Sequence, residues 1–186
     1  MNINDLMSKC EKEMSIKIEK LKGEFKSLRT GRANPQLLDS VYVEYYGSRV
    51  PLKQVAAVSV PDARTLEIKP WDRTVLDAIE VELKKIDLGS TPQRQGDIIR
   101  INLPPMNEEQ RKKLAKVVAQ IAEEIRVEIR NIRRDYIEKI KKAQKNSEIS
   151  EDDAKRYEAQ IQKITDRFIE NVNQLSQTKE KDILTV

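Results

Sequence analysis

Four arginines in the second half of the chain have the clearest chemical potential. They recur at i, i+4, i+7 and i+8 spacing and therefore share one face of a helix: Arg126, Arg130, Arg133 and Arg134. A guanidinium is planar and presents a fork of N–H donors that matches the oxygens of a phosphate group. The adjacent isoleucines at 125, 129 and 132 would pack against the arginine stems and restrict their orientation. This arrangement predicts binding to the phosphate backbone of a nucleic acid.

A simpler interpretation of the same charges stays open. Acidic residues follow the arginines at Glu128, Asp135 and Glu138, and i,i+4 ion pairs with them would make the run a solvated helix face. Aromatic residues make up only 4% of the chain and do not alternate with the basic ones, which disfavours stacking on single-stranded bases.

The composition excludes several kinds of catalytic site. The chain has no histidine and one cysteine, Cys10, so Cys/His zinc sites, histidine-activated nucleophiles and disulfide frameworks are impossible. Gly89 and Gly96 lack the spacing of a phosphate-binding loop, and the acidic pairs at 123–124 and 152–153 are interpreted as surface and cap charges. The sequence therefore predicts no catalytic residue, no metal site and no cofactor. A metal-assisted hydrolase would need a carboxylate cluster that the spacing does not show.

Proline and glycine indicate which elements position the arginines. All seven prolines lie between positions 35 and 105, and neither residue type occurs after position 105. Since both disrupt helix interiors, their absence permits long helices. Apolar residues recur every three or four positions in three segments, from Met7 to Leu28, within 107–145, and from Ala154 to Leu175, with Ser150 and Asp153 as a capped start for the third. The sequence predicts an elongated three-helix bundle.

The segment 31–105 has a different pattern, typical of a small α/β, β-rich domain. Short β-branched or aromatic runs predict strands at 41–46, 55–60, 65–68 and 98–101, and a helical pattern capped by Asp72 covers 72–86. The predicted fold is α+β, with bundle domain 1–30 and 106–186 and inserted domain 31–105. Two short crossings join them, so we expect a hinge near 30–32 and 103–105. One rigid interface between the domains is the alternative.

The charge is divided unevenly between these predicted domains. Residues 31–105 hold 10 basic and 10 acidic side chains, so the remaining 25 basic and 21 acidic ones, and the whole net charge of +4, belong to the helical part. The chain has neither an apolar run that could span a membrane nor a recognisable signal peptide. With its single cysteine, it is expected to be cytoplasmic.

Four motifs resemble those of the bacterial ribosome recycling factor family, in order along the whole chain. They are Ser27–Pro35 followed by Leu37-Leu38-Asp39, Leu103–Met106 with Glu108–Arg111, Arg130–Asp135, and Ile149–Asp153. Tyr136 departs from the family pattern, in which small residues are common at this place.

The resemblance implies an L-shaped, two-domain translation factor of roughly transfer-RNA dimensions. Together with elongation factor G and GTP, such a factor splits the post-termination ribosome, and its bundle binds ribosomal RNA of the large subunit. By resemblance, the RNA contacts would be Arg111, Arg130, Arg133 and Arg134, then Arg29 and Arg32. The hinge would comprise Thr30, Gly31, Arg32, Leu103, Pro104 and Pro105. We expect a monomer without a membrane partner. A helical holdase or adaptor that binds proteins through the bundle is the alternative.

Overall fold

The computed structural model describes residues 3–184, which form two compact units. One unit contains residues 3–25 and Lys112–Leu184, and the other contains Lys26–Arg111. In chain order the elements are α1 (Ile3–Ser27), β1 (Tyr42–Tyr45), β2 (Ser48–Pro51), α2 (Leu52–Val55), β3 (Ala56–Asp62), β4 (Thr65–Pro70), α3 (Leu76–Lys84), β5 (Gln93–Gln95), β6 (Ile98–Asn102), α4 (Glu108–Lys145) and α5 (Glu151–Leu184). The predicted α+β class, with a long helical part and a small sheet domain, is confirmed.

The first unit is a bundle in which each helix buries one apolar stripe. The stripe of α4 includes Val118, Ala122, Ile125, Ile129, Ile132, Tyr136, Ile140 and Ala143. Cys10, Met14, Ile18, Leu21 and Phe25 are its counterparts in α1, and Ala154, Ile161, Phe168, Val172 and Ile183 are those in α5. Each helix needs the other two to cover its stripe, because long isolated helices with one apolar face gain little stability in water.

Polar contacts between the helices define their directions. Glu128 of α4 accepts hydrogen bonds from the ammonium groups of Lys17 at 2.7 Å and Lys20 at 2.6 Å. These bonds hold the pKa of the Glu128 carboxyl below its usual range. Further along α4, the Tyr136 hydroxyl donates to Glu13 Oε1 at 2.7 Å. The later residue of α4, Tyr136, thus contacts an earlier residue of α1 than Glu128 does, so these two helices are antiparallel.

Tyr136, the departure from the family pattern, is a packing residue at the centre of the bundle. Its side chain is 2% exposed, and the Lys139 ammonium lies 4.0 Å from the ring centroid. Burial, followed by the hydrogen bond to Glu13, raises the pKa of the Tyr136 hydroxyl. The fully buried Cys10 has its pKa raised to about 11, mainly by burial and then by the negative charge of Glu13. A protonated, buried thiol is chemically inert at neutral pH.

The turn between α4 and α5 follows the sequence prediction. The Asp153 amide donates to Ser150 Oγ at 3.1 Å, and the Ser150 hydroxyl donates to Asp153 Oδ2 at 2.8 Å. This reciprocal cap satisfies a free amide in the first turn of α5, which places the start of the helix at Glu151.

The second unit is built on two antiparallel sheets and one short helix. β1 and β2 form a hairpin, and the other sheet has the order β3-β4-β6-β5. Residues of both sheets and of α3 make one core, which includes Val43, Leu66, Ile68, Ile79, Leu83, Ile99 and Ile101. The hairpin turns through Tyr46 and Gly47, which both have positive φ, as two-residue hairpin turns require.

Several elements of this unit differ from their prediction. Val55 ends the helical turn α2, so the strand predicted from Val55 begins one residue later. Asp72 does cap a helical start, since its Oδ1 accepts from the Thr74 amide at 2.9 Å, but the regular helix begins at Leu76. The 3₁₀ turn Pro35–Leu38 and strand β5 were not predicted. All three residues of β5 are polar and exposed, so the strand lacks the alternation of apolar and polar residues that would have predicted it.

Candidate nucleic-acid interface

The arginine-bearing face of α4 starts with a compact ionic cluster. Glu123 accepts from Arg126 Nη1 and from Arg130 Nη1, both at 3.0 Å. Arg126 Nε also donates to Asn173 Oδ1 of α5 at 2.9 Å, which fixes the plane of its guanidinium. The Arg126 side chain is 21% exposed and that of Arg130 is 41% exposed. The two guanidinium groups are therefore held in place around one carboxylate.

The next turn of the same face is more open. Arg133 is half-buried, and its Nη1 lies 3.3 Å from Gln162 Oε1 of α5. The amide of Gln162 donates in turn to Asp166 Oδ1 at 2.7 Å, which orients its oxygen toward the arginine. Arg134 is exposed and forms no polar side-chain contact within the described residues. Most of the donors of Arg133 and all those of Arg134 remain available to a ligand.

The acidic partners of this face differ from the ones the sequence suggested. The simpler interpretation of the sequence offered Glu128 as a partner of the arginines, but Glu128 binds Lys17 and Lys20 of α1. Glu123, interpreted above as ordinary surface charge, takes its place. The hydrogen bonds from Arg126 and Arg130 lower the pKa of the Glu123 carboxyl, which is therefore ionised at neutral pH. One negative charge thus offsets part of the positive charge at Arg126 and Arg130 and none of it at Arg134.

Arg111 lies in the first turn of α4, within the second unit. Its amide donates to the Asn107 carbonyl at 3.0 Å, and its side chain is half-buried. This helical start is held by a reciprocal cap, in which the Gln110 amide donates to Asn107 Oδ1 at 2.8 Å and the Asn107 amide donates to Gln110 Oε1 at 3.0 Å. The pattern is a capping box with Asn and Gln, a signal that was present in the sequence and was missed.

The predicted hinge residues also lie in the second unit. Arg32 is exposed, as is Arg29, and neither makes a polar side-chain contact within residues 3–184. Thr30 is 8% exposed, and Gly31 has φ +78°, a conformation that disfavours any residue with a Cβ. Leu103 is 7% exposed and belongs to the core of this unit, whereas Pro104 and Pro105 are exposed.

Other kinds of site are poorly represented in the part of the chain that the structure describes. No group of three or more acidic or cysteine side chains there could hold a metal ion. A shallow cavity of about 350 Å³ is lined by Glu44, Gly47, Arg49, Glu82 and Lys85. Its Glu82 carboxylate already accepts from Lys85 at 2.8 Å and lies 3.6 Å from Arg49. None of the described helices is long and apolar enough to cross a membrane.

Comparison with known proteins gives one consistent result. The family model described as ribosome recycling factor matches residues 21–184. The chain is 48% identical to the ribosome-recycling factor of Symbiobacterium thermophilum over 98% of both chains. It is 49% identical to that of Thermus thermophilus over 99% of this chain and 100% of the relative.

Solved structures agree with the sequence relatives. A solution structure of the ribosome recycling factor aligns with a TM-score of 0.79 and 40% identity, over 100% of this chain and 99% of that one. A second structure contains the T. thermophilus ribosome recycling factor and the E. coli elongation factor G bound to the E. coli post-termination complex. It aligns with a TM-score of 0.68 and 49% identity, over 99% of this chain and 100% of that one. The chain belongs to the ribosome recycling factor family.

Proposed function

We propose that this chain splits the post-termination ribosome into subunits together with elongation factor G and GTP, and that it binds large-subunit ribosomal RNA through α4. The observation that carries the proposal is the arginine face of α4 in a member of this family. The similar T. thermophilus factor has been placed with elongation factor G on a post-termination complex, which supports the choice of partners.

The family consists of translation factors and not of enzymes. In the proposed reaction, elongation factor G hydrolyses GTP, while this chain binds the large subunit and its two domains move about the proposed hinge. It would act as a monomer in the cytoplasm, where its partners are. The large apolar residues that the described bundle exposes, Ile16, Val117, Val127 and Leu184, are isolated from each other in sequence, and single exposed apolar residues need no partner. We therefore prefer this function to that of a holdase.

The geometry supports recognition of the RNA backbone more than of base sequence. Guanidinium groups that are fixed along one helix can meet phosphates at a set spacing, whereas bases in an RNA duplex are hard to reach. On the arginine face of α4, Arg133 and Arg134 are the strongest candidates because their donors are less occupied than those of Arg126 and Arg130. Arg130 would act beside them, and Arg111, Arg29 and Arg32 would contribute further contacts.

We further propose that the domains 1–30 with 106–186 and 31–105 move about a hinge at Thr30, Gly31, Arg32, Leu103, Pro104 and Pro105. The positive φ of Gly31 supports a special backbone role at the first crossing. The compact units change at residues 25–26 and 111–112, so the hinge residues all fall in the second unit.

A subunit-splitting assay tests the central proposal. Purified post-termination ribosomes would be mixed with this chain, elongation factor G and GTP, and light scattering would follow the release of subunits. We expect splitting only when all three components are present, with each omitted in turn as a control. Full splitting without this chain, or none with the complete mixture, would refute the proposal.

The Glu123 cluster gives a prediction of its own. Glu123→Gln removes the charge that Arg126 and Arg130 share, so both guanidinium groups become available to phosphates. We expect large-subunit affinity to rise by roughly twofold to fivefold, as befits a partly exposed ion pair, with a steeper dependence on salt. Filter binding over a salt series measures both. Glu44→Gln on β1 makes the same change of charge on an exposed side chain outside the bundle and should have no effect. A fall in affinity would show that Glu123 holds the arginines ready instead of competing for them.

A further inference from the structure

One turn of the second unit, the small unit below, forms hydrogen bonds to residues at or beside both predicted crossings, 30–32 and 103–105. The turn Asp62–Thr65 connects β3 to β4. Its Ala63 carbonyl accepts from the Ala33 amide at 2.8 Å, and its Arg64 carbonyl accepts from the Leu103 amide at 2.7 Å. Ala33 directly follows the first crossing, and Leu103 begins the second. Two consecutive carbonyls therefore anchor the two chain segments that join the proposed domains 1–30 with 106–186 and 31–105.

The side chain of Asp62 holds the turn in the conformation that presents these carbonyls. Its Oδ1 accepts from the Arg64 amide at 2.9 Å, and its Oδ2 accepts from the Thr65 hydroxyl at 2.8 Å. These bonds lower the pKa of the Asp62 carboxyl, the Arg64 amide having the largest effect. The Thr65 side chain also lies 3.1 Å from Asn102 Oδ1, which connects the turn to the end of β6 beside Leu103.

The crossings also lie close to each other. A Cβ on Gly31 would lie 3.4 Å from Met106 Cγ and 3.8 Å from the Pro104 carbonyl oxygen. Bending at one crossing therefore displaces the other. A body held at two neighbouring points can rotate about the line that joins them, whereas a body held at one point is free to rotate about every axis. Two anchors in one turn would thus convert loose motion into rotation about one axis.

We propose that Asp62 is a positioning residue of the hinge, because through the turn Asp62–Thr65 it fixes Ala33 and Leu103 to the small unit. Bending is then confined to residues 30–32 and 104–106, and Leu103 is an anchor and not a moving part. The inference rests on the proposed hinge function. A force applied to the small unit would rotate it about one axis while both hydrogen bonds, from Ala33 to Ala63 and from Leu103 to Arg64, are intact. Once these bonds break, the same force would produce rotation about several axes.

Asp62→Ala and Asp72→Ala form a matched pair for testing this role. Both aspartates belong to the same unit, accept from a backbone amide two residues on, and have a lowered pKa. Only Asp62 supports the turn that binds the crossings. Spin labels on one introduced cysteine in each unit would report the distribution of distances between the units. The buried thiol of Cys10 would not compete for the label.

We expect Asp62→Ala to broaden that distribution and to slow splitting by roughly tenfold or more, as hinge changes do, with large-subunit affinity within about twofold of the unchanged chain. Asp72→Ala should leave all three readouts unchanged. Asp62→Asn keeps the acceptor for the Arg64 amide, so it should restore most of the splitting rate. If Asp62→Ala does not fold, Thr65→Val carries the test, because it removes the hydroxyl that bonds Asp62 and Asn102 and should broaden the distribution and slow splitting in the same direction. An unchanged distribution, or splitting by Asp62→Ala as fast as by Asp72→Ala, would overturn the inference. Failure of the unchanged chain to split ribosomes would instead refute the proposed function.

Discussion

Replacing Arg133 by alanine is expected to weaken binding to the large ribosomal subunit by about tenfold, because a charge-assisted bond from arginine to phosphate contributes of the order of 1–2 kcal/mol. The bundle should stay folded, since Arg133 makes one hydrogen bond of 3.3 Å to Gln162 and its stem is only half-buried. Thermal unfolding should therefore be nearly unchanged. The substitution should therefore reduce the free energy of binding to the large subunit and leave the free energy of unfolding nearly unchanged.

The salt dependence of binding separates this role from a general loss of affinity. Each phosphate contact releases counterions, so removing one should make the slope of log K against log salt shallower by about one. Co-sedimentation with large subunits at a series of salt concentrations measures the slope. The same experiment distinguishes ribosome binding from a holdase, whose binding to unfolded clients would not require ribosomes.

Lys12→Ala supplies the control for Arg133→Ala. Lys12 is an exposed cation of α1 with no polar partner in the described part of the chain, and it lies two residues from the buried Met14, on the outer face of that helix. Its removal lowers the net charge by the same unit away from α4. We expect its affinity and slope to match the unchanged chain. If Arg133→Ala behaved like Lys12→Ala at every salt concentration, Arg133 would have no part in RNA binding.

The bundle could be predicted from the sequence because local patterns determine it. The period of the apolar residues gave the buried stripe of α4, and the absence of proline and glycine gave its length, observed as Glu108–Lys145. The start of α5 followed from Ser150 and from Asp153 three residues later. The grouping of the arginines on one face followed from their spacing in the same way.

The ionic partners on that face could not be predicted, because they depend on which helix packs on which side. Glu128 lies two residues from both Arg126 and Arg130, yet the packing of α1 brings Lys17 and Lys20 to it. Arg126 is oriented by Asn173, which is 47 positions away in the sequence. Contacts of this kind appear only once the helices are placed in three dimensions.

In the small unit, hydrogen bonds between distant backbone groups could not be predicted from the sequence either. Hydrogen bonds from Ala33 to Ala63 and from Leu103 to Arg64 join segments 30 or more residues apart, and no side-chain pattern announces them. Pro104 and Pro105 pointed to a crossing, but they did not show that the residue before them is buried and anchored. The sequence could thus indicate where a hinge is proposed, but it could not indicate which backbone hydrogen bonds lie beside it.

The proposed binding face and the proposed hinge involve different residues, apart from Arg32. Arg126 and Arg133 are held by hydrogen bonds to Asn173 and Gln162 of α5, which lie within the bundle. Of the proposed hinge residues, only Arg32 is also proposed as an RNA contact. A change that stops motion should therefore spare binding, whereas a change at Arg133 should do the opposite.

Locking the hinge is accordingly expected to leave large-subunit binding within about twofold and to abolish splitting, because a rigid chain keeps its phosphate contacts but cannot transmit a displacement. One cysteine would be introduced in each unit beside the crossings and the pair joined by a cleavable cross-linker. The native Cys10 is fully buried, with its pKa raised to about 11, so it should escape modification. Binding and splitting would be measured before and after the linkage is cleaved.

Cleavage makes each preparation its own control, since the two forms differ only in the linkage. Recovery of splitting after cleavage would show that the introduced cysteines themselves do no harm. Loss of binding in the locked form would mean that the ribosome selects an arrangement of the units that the linkage forbids, so the hinge would serve binding. A fully linked chain that still splits ribosomes would rule the hinge out, because the arginine face alone would then suffice for recycling.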